Sequence, residues 1–513
     1  MSPDNSANNG RIVKNTMLLY VRMLFTMAVT LYTSRVIMIT LGIEDYGIYN
    51  VVGGIVSMFS VLSGSLSSAI SRFITYELGH GDKKKLKIIF STSVSIQIVI
   101  AFVIFAIAEI AGVWFLNTKM NIPNERMVAA NWVLQCSIIT FMINLISIPY
   151  NATIIAHEKM SAFAYISILE IMLKLLVAYL LYVSSYDRLI IYAILLLLVA
   201  LIIRMVYGVY CKKHFEEASY KPVWNWSVFK EMSNFAGWNF FGNTCYILNT
   251  QGVNMLINLY FGVTLNAARG IAVQVEGAVT SFVNNFTTAL NPQITKSYAS
   301  GDIQYMYKLL NQGTKFSFFI MYFFIVPFVL EAETILNIWL KNVPEHSVIF
   351  LRLVLFASLS NVLGNELYYG IISTGKIKNY QLAVTAVGIM VFPLTWIAYE
   401  LGAHAATTYL IFTIIYLSLN IIRLNFLKRL IGFPIMTFIS EAVVPICIVA
   451  VLAFVLPMII IYLMQPSLLR LFFVCLVSFI STASIIYLWG LTKNERYFIA
   501  NKIHQFLKKH TNK

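Results

Sequence analysis

The stretch "NTMLLYVRMLFTMAVTLYTSRVIMITLG", residues 15–42, is long and apolar enough to cross a lipid bilayer. A membrane-spanning α-helix needs about 20 consecutive, mainly apolar residues. The same stretch carries Arg22 and Arg35, two permanent charges in a segment that otherwise suits lipid. It therefore predicts a first transmembrane helix whose arginines need a polar environment.

Apolar runs of this length recur along nearly the whole chain. Of its 513 residues, 59% are hydrophobic and only 12% are charged, whereas soluble domains are about 45–50% apolar and about 25% charged. We predict an all-α, polytopic membrane protein with about fourteen transmembrane helices. The predicted spans are 16–41, 47–71, 88–115, 127–154, 162–183, 188–210, 231–259, 265–290, 313–337, 347–374, 379–400, 404–426, 437–463 and 467–490.

The basic residues are distributed by side of the predicted membrane. With the N-terminus inside, about 26 of the 37 Lys and Arg fall on the inner side and about five on the outer side, which is the positive-inside bias. The formal net charge of +15 is thereby explained without nucleic acid as a partner. Residues 1–14 are polar and the first apolar run is too long for a cleaved signal peptide. We expect an inner-membrane protein with both termini in the cytoplasm.

The chain contains a weak internal repeat. Shifting it by 220 residues aligns 42–82 with 262–302 without a gap, with six of 41 positions identical, and the predicted turn points coincide. The shift of 220 residues covers six predicted helices. Because six is an even number, the two halves of the chain have the same orientation in the membrane, as in a parallel repeat. We predict an N-lobe of six helices (1–210), a C-lobe of six helices (211–430), an added helix pair (431–490) and a basic cytoplasmic tail (491–513). The tail pattern suits a helix on the inner leaflet, or a frayed end.

Signatures of catalysis are absent from the predicted spans. The seven histidines fall in predicted loops, helix ends or the tail, and the five cysteines show no paired spacing, so we expect no metal, cofactor or disulfide framework. The string "GIISTGKI" (370–377) resembles a phosphate-binding loop, but Ile377 replaces the Ser or Thr that would bind magnesium. Gly375 is instead expected to end a helix as its C-cap. The sequence does not predict an enzyme.

Charged residues inside the predicted spans are the candidates for function, because a charge at membrane depth costs at least about 2.5–3.5 kcal/mol. Each arginine either snorkels to headgroups or faces a cavity, where a guanidinium suits phosphate. Glu170 and Lys174 have the spacing of an intrahelical ion pair, with cavity lining or ion coupling as the alternative. The candidates are Arg22, Arg35, Arg269, Glu170, Lys174, Glu276 and Glu366.

Residues 41–82 resemble the N-terminal signature of bacterial polysaccharide exporters in the MOP superfamily. The likeness consists of an LG turn, the start "YGIYN" of the second predicted helix, an Arg-Phe pair at its inner end and a basic loop after Gly-Asp. The resemblance implies a flippase for polyprenyl-pyrophosphate-linked oligosaccharides, such as O-antigen or capsule repeat units. It also implies two six-helix lobes around a cationic cavity, and glycosyltransferases and a polysaccharide polymerase as partners.

The resemblance also suggests roles for the arginines. Members similar to the lipid II flippase use arginines on helices 1, 2 and 8, and Arg22, Arg35 and Arg269 stand at comparable places, which implies that they bind pyrophosphate. The second predicted helix departs from this pattern, because it has no interior arginine. Two other functions stay open. A drug or cation antiporter of the related MATE family would need an acidic cavity, and a polysaccharide polymerase or ligase would need a larger outer loop than 116–126.

Overall fold

The computed structural model describes residues 3–42, 45–46, 48–49, 52–53, 59–118, 122–183, 186–340, 343, 345–497 and 500. Within these ranges every regular element is helical, and eleven helical segments are long and apolar enough to cross a membrane. They confirm the prediction of an all-α, polytopic protein. The eleven are 11–41, 83–118, 124–156, 160–183, 188–214, 303–330, 347–374, 378–400, 407–431, 435–463 and 468–490.

The helices are numbered here in chain order. Three π-helical segments, at 108–112, 439–443 and 486–490, continue α3, α16 and α18. The α-helices are α1 Pro3–Leu41, α2 Ser60–His80, α3 Lys83–Ile107, α4 Val113–Thr118, α5 Met127–Ala156, α6 Met160–Val183, α7 Arg188–His214, α8 Trp226–Ala299, α9 Ile303–Leu330, α10 Ala332–Trp339, α11 Ser347–Val362, α12 Asn365–Thr374, α13 Lys378–Gly388, α14 Val391–Glu400, α15 Thr407–Ile431, α16 Ile435–Phe438, α17 Val444–Leu463 and α18 Leu468–Ile485.

Helix α8 accounts for two of the predicted spans, 231–259 and 265–290. Its backbone is helical throughout. However, Arg269 Nη1 lies 3.0 Å from Asn254 Oδ1, and Arg269 Nη2 lies 3.4 Å from the carbonyl oxygen of Thr250. A straight helix would separate residues 254 and 269 by about 22 Å. The chain therefore reverses between them, and we call 226–254 the first arm and 269–299 the second arm. Of the fourteen predicted spans, one more is not among the eleven: the span 47–71, which lies partly outside the described residues together with its "YGIYN" start. The tail from residue 501 lies wholly outside them.

Several connections are shorter than predicted. The predicted loop 291–312 is helical except at 300–302, because α8 continues to Ala299 and α9 begins at Ile303. Likewise α1 begins at Pro3 although residues 1–14 are polar. Apolar runs mark only the part of a helix that suits lipid, whereas helical hydrogen bonds continue into polar sequence. Hydropathy therefore located the membrane spans but underestimated the lengths of the helices that contain them.

Two predicted spans are broken helices. The span 347–374 consists of α11 and α12, and the span 379–400 consists of α13 and α14. At the second break, Asn249 Nδ2 donates to the Gly388 carbonyl at 2.6 Å, and Asn249 Oδ1 accepts from the Phe392 N–H at 3.3 Å. Gly252, one turn further along α8, lies so close that an added Cβ would come within 2.6 Å of the Phe392 ring. An asparagine of α8 thus satisfies the backbone groups that the break releases.

The chain forms two compact units. Unit 1 comprises residues 1–244 and 288–302, and unit 2 comprises 245–287 and 303–513. In unit 1 the core includes Leu116 and Leu134, and in unit 2 it includes Leu351 and Val449, all without exposed surface. The lobe and domain boundaries predicted from the repeat stay a prediction.

The inner turns of the repeat share one backbone geometry. Gly81 has φ +89° and Gly301 has φ +79°, and an aspartate follows each glycine. Both values lie in the left-handed region that glycine adopts without steric cost. Gly375, with φ +75°, ends α12 as predicted.

Candidate functional site

Arg22 lies half-buried on α1, which packs along α6 in unit 1. Its guanidinium carbon is 4.6 Å from the centre of the Phe163 ring, and Nη1 donates to Ser167 Oγ at 3.4 Å. Both partners are neutral, and an aromatic face attracts a cation without cancelling its charge. Arg22 is therefore positioned on one face of α1 by α6.

A charged pair lies further along α6, the helix that contacts Arg22. Lys174 Nζ bonds Glu170 Oε1 at 2.6 Å within α6, which confirms the predicted intrahelical ion pair. The buried Tyr207 of α7 is within electrostatic reach of both Arg22 and Glu170. Unit 1 thus brings three candidates, Arg22, Glu170 and Lys174, around one tyrosine.

Arg35 is placed differently from Arg22. Its side chain is exposed, and within the described part of the chain it forms no hydrogen bond or ion pair. Thirteen residues of α1 separate the two arginines, which is roughly 20 Å along a helix. One phosphate group cannot span that distance, so the two would serve different positions of a ligand.

Arg269 lies half-buried at the start of the second arm of α8, in unit 2. It donates to Asn254 Oδ1 and to the Thr250 carbonyl, both neutral acceptors, and among the described residues it forms no ion pair. Its Nε is buried and has no hydrogen-bond partner there. The hydroxyl of Tyr409, on α15, is buried and lies close enough to interact with Arg269. Arg269 thus has only neutral partners among the described groups, which leave its charge uncancelled.

Glu276 lies two turns beyond Arg269 on the same arm. Its Oε1 accepts from Ser358 Oγ at 2.8 Å and from Thr280 Oγ1 at 2.9 Å. Tyr246 is within electrostatic reach of both Glu276 and Arg269. Unit 2 therefore brings these two candidates into one polar neighbourhood.

Glu366 lies apart from that neighbourhood. It is completely buried in the first turn of α12, just after the break that follows α11. Its Oε1 accepts from Ser317 Oγ at 3.0 Å and from Thr287 Oγ1 at 3.2 Å, whereas its Oε2 has no partner among the described residues. A buried carboxyl group with an open oxygen can hold a proton or bind a small cation.

Two charged groups were not singled out from the sequence. Glu158, between α5 and α6, is buried and binds Arg11, Gln293 and Lys296. Arg72, of the Arg-Phe pair, is buried with its guanidinium 4.7 Å from the centre of the Phe73 ring. Hydropathy gave no signal for either, because both lie outside the predicted spans.

Comparison with solved structures identifies the fold. A MOP superfamily transporter from Pyrococcus furiosus Vc1 superposes with a TM-score of 0.66 at 14% identity, and the match covers 84% of this chain and 98% of that transporter. It is described as having a binding pocket of reversed polarity, which suggests a different function. An outward-facing multidrug resistance MATE transporter superposes with a TM-score of 0.68 at 14% identity. The match covers 82% of this chain and 96% of that transporter. This chain has the fold of MOP superfamily transporters. The MATE transporter ClbM, solved with Rb⁺, superposes with a TM-score of 0.67 at 12% identity, and the match covers 81% of this chain and 94% of ClbM.

Sequence comparison is less informative. EpsK, an uncharacterized membrane protein of Bacillus subtilis (strain 168), is 19% identical over 294 residues. The match covers 57% of this chain and 58% of EpsK, so it spans less than two thirds of that relative. No family model matches the sequence.

Proposed function

We propose that the protein is a flippase that moves polyprenyl-pyrophosphate-linked oligosaccharides across the bacterial cytoplasmic membrane by alternating access. The observation that supports this most directly is the half-buried guanidinium of Arg269, which forms no ion pair among the described residues and has only neutral partners there, Asn254, Thr250 and Tyr409. Withdrawing a cation from water without a counter-charge is costly. A pyrophosphate would supply the missing negative charge.

The chemistry of the substrate explains why arginines suit this task. A lipid pyrophosphate must carry its negative charges through a region where bare charge is costly, while its prenyl chain stays in lipid. Guanidinium groups offset the lost hydration and bind phosphate oxygens with a planar set of donors. In this proposal Arg22 and Arg269 bind the pyrophosphate, and the exposed Arg35 attracts it at the predicted outer end.

The proposal implies a place in polysaccharide synthesis. A cytoplasmic glycosyltransferase must supply the lipid-linked oligosaccharide, and a polymerase outside must consume it. An inside-negative membrane potential would assist export, because moving about two negative charges outward is favoured by about 4–5 kcal/mol per 100 mV.

A drug or cation antiporter is the second candidate, and the carboxylates of unit 2 favour it. Glu276 and Glu366 have only neutral partners among the described residues, and one structural neighbour was solved with Rb⁺. In a flippase we assign these carboxylates, and the Glu170–Lys174 pair, to ion coupling or cavity lining. Glu366→Gln should then abolish any response of flipping to an imposed proton or sodium gradient, whereas substrate binding persists.

A reconstituted assay tests the flippase proposal. Proteoliposomes that contain the protein and a fluorescent polyprenyl-pyrophosphate oligosaccharide should move the lipid to the opposite leaflet. Arg269→Ala should lower the rate by about tenfold or more, since a charge-assisted hydrogen bond to phosphate is lost. Arg269→Lys should restore only part of the rate, because an ammonium lacks the planar donor set. Arg22→Ala should behave like Arg269→Ala.

Arg352→Ala is the matched control, because Arg352 is exposed and donates to the Val329 carbonyl at 2.9 Å. Its rate should equal that of the wild type. Full activity of both Arg22→Ala and Arg269→Ala would refute the proposed pyrophosphate site. Transport of an organic cation such as ethidium by the wild type, without any flipping, would establish the antiporter instead.

A further inference from the structure

Glu158 joins three segments of unit 1. It lies in the turn between α5 and α6, and its side chain is 2% exposed. Oε2 is 3.0 Å from Arg11 Nε and 2.5 Å from Gln293 Nε2, and Oε1 is 2.6 Å from Lys296 Nζ. Its carbonyl oxygen also accepts from Asn15 Nδ2 at 3.3 Å. One carboxylate therefore holds together α1, the α5–α6 turn and the second arm of α8.

The backbone around Glu158 is fixed as firmly as its side chain. Its φ of +58° is uncommon for a residue with a side chain and persists where surrounding contacts compensate for the strain. The preceding His157 binds Glu217 Oε1 at 2.5 Å and stacks on Phe215, with ring centres 4.2 Å apart. The turn is thus tied to the connection that follows α7, so the carboxylate is presented from a rigid base.

A close backbone contact lies beside the Glu158 network. A Cβ added to Gly79, in the last turn of α2, would lie 2.8 Å from Ala299 Cβ and 2.9 Å from Lys296 Cα. Such distances leave no room for a side chain, so only glycine fits there without displacing the backbone of α8. The second arm of α8 is therefore held at its inner end by an ionic contact and by a steric fit.

Both contacts connect the halves that the internal repeat predicts. Glu158, Arg11 and Gly79 belong to the predicted N-lobe, whereas Lys296 and Ala299 belong to the predicted C-lobe, and all of them lie on the predicted cytoplasmic side. We propose that the Glu158 network is a cytoplasmic latch between the two lobes, which must open once in each transport cycle. The inference rests on the proposed function only in that it assumes a transport cycle.

Cysteine accessibility tests the latch without any substrate. Ser297 lies on the second arm of α8, next to Lys296, and is 5% exposed. Ser297→Cys, in a background with all five native cysteines replaced, should react slowly with a membrane-impermeant maleimide applied from the cytoplasmic side. Glu158→Gln should raise the reaction rate by about tenfold or more, because it leaves the partly buried Lys296 without its counter-charge.

Three further variants make the test specific. Lys296→Gln should have the same effect as Glu158→Gln, and the double variant should be no more reactive than either, because both remove one contact. Gly79→Ala should also raise the rate, by forcing the helices apart while the ion pair is chemically intact. The matched controls are Gly64→Ala, on the same helix with nothing within 4 Å of an added Cβ, and Glu216→Gln, whose exposed pair with Lys83 lies outside the latch.

The outcomes separate the latch from the proposed function. Raised labelling in Glu158→Gln, Lys296→Gln and Gly79→Ala, with neither control affected, supports the latch even if the protein flips no lipid-linked oligosaccharide. In that case the proposed function alone is refuted. Unchanged labelling in all three variants refutes the latch, whatever the flipping assay shows.

Discussion

At the scale of single residues, Arg126 links two carboxylates at the predicted outer end of unit 1. Arg126 Nη1 is 2.6 Å from Asp187 Oδ2, and Arg126 Nε is 2.8 Å from Asp45 Oδ1. Asp187 also accepts from the N–H groups of Leu189 and Ile190 and so caps α7. Partial burial alone would raise the pKa of Asp187, but the hydrogen bond from Arg126 and those from the backbone outweigh it and lower the pKa below its ordinary 3.8.

The lowered pKa of Asp187 predicts an acid-sensitive stability. A carboxyl group whose folded pKa is depressed stabilises the fold above its unfolded pKa, and that contribution is lost as the pH falls through the folded value. The wild-type protein in detergent should therefore lose thermal stability below about pH 3.8. Asp187→Asn should be less stable at neutral pH and should lose less on acidification. Glu125→Gln, at a neighbouring exposed carboxylate, should keep the wild-type profile. Identical acid profiles for wild type and Asp187→Asn would contradict this.

Sequence reasoning at this scale succeeds when both partners are local. The Glu170–Lys174 pair was predictable, because one helical turn fixes the spacing of its members. The Glu158 contacts were not, because Gln293 and Lys296 are 135 and 138 residues away. No local pattern indicates which distant donors will meet a carboxylate. The Tyr409 hydroxyl near Arg269 was missed for the same reason.

At the scale of secondary-structure elements, the break between α13 and α14 depends on one side chain of α8. Asn249 is 6% exposed and satisfies one carbonyl and one N–H at the break. Asn249→Ala would leave both groups buried and unsatisfied, at about 1–3 kcal/mol for each. We expect a clear fall in the melting temperature measured in detergent. Asn234→Ala, an exposed asparagine on the same arm that accepts from Trp238 Nε1, should be nearly neutral. Equal melting temperatures for the two variants would show that the break does not need Asn249.

Apolar runs could predict where helices cross the membrane but not where they break. The sequences 347–374 and 379–400 are each apolar enough overall for hydropathy to predict one continuous membrane span. The breaks are stabilised by side chains of other helices, Asn249 on α8 and Asn420, which donates to the Ser360 carbonyl at 2.7 Å. Tertiary contacts of this kind have no signature within the broken segment itself.

At the scale of the whole molecule, composition and helix count were sufficient to predict the architecture, and fold comparison agrees with it. Function is a different matter, because proteins that share a fold can differ in function, which depends on the residues of the site. Arg22, Arg269, Glu276 and Glu366 could be identified from the sequence as charges at membrane depth. Coordinates were required to show that Arg269 and Glu276 share one neighbourhood, whereas Arg22 and Glu366 each have other surroundings.

The number of membrane crossings gives a last prediction for the whole chain. Single cysteines in place of the exposed Lys84, Ser219 and Lys493 should be protected from an impermeant maleimide in intact cells, and those in place of Asn124 and Glu345 should be labelled. One crossing separates residues 84 and 124, and three separate 124 and 219. The reversal in α8 makes three crossings between 219 and 345, and five follow before 493. If α8 crossed only once, residue 345 would lie inside with 219, and residue 493 would lie outside. Labelling at residue 493 in intact cells, with residue 345 protected, would therefore refute both the reversal of α8 and the parallel repeat that depends on it.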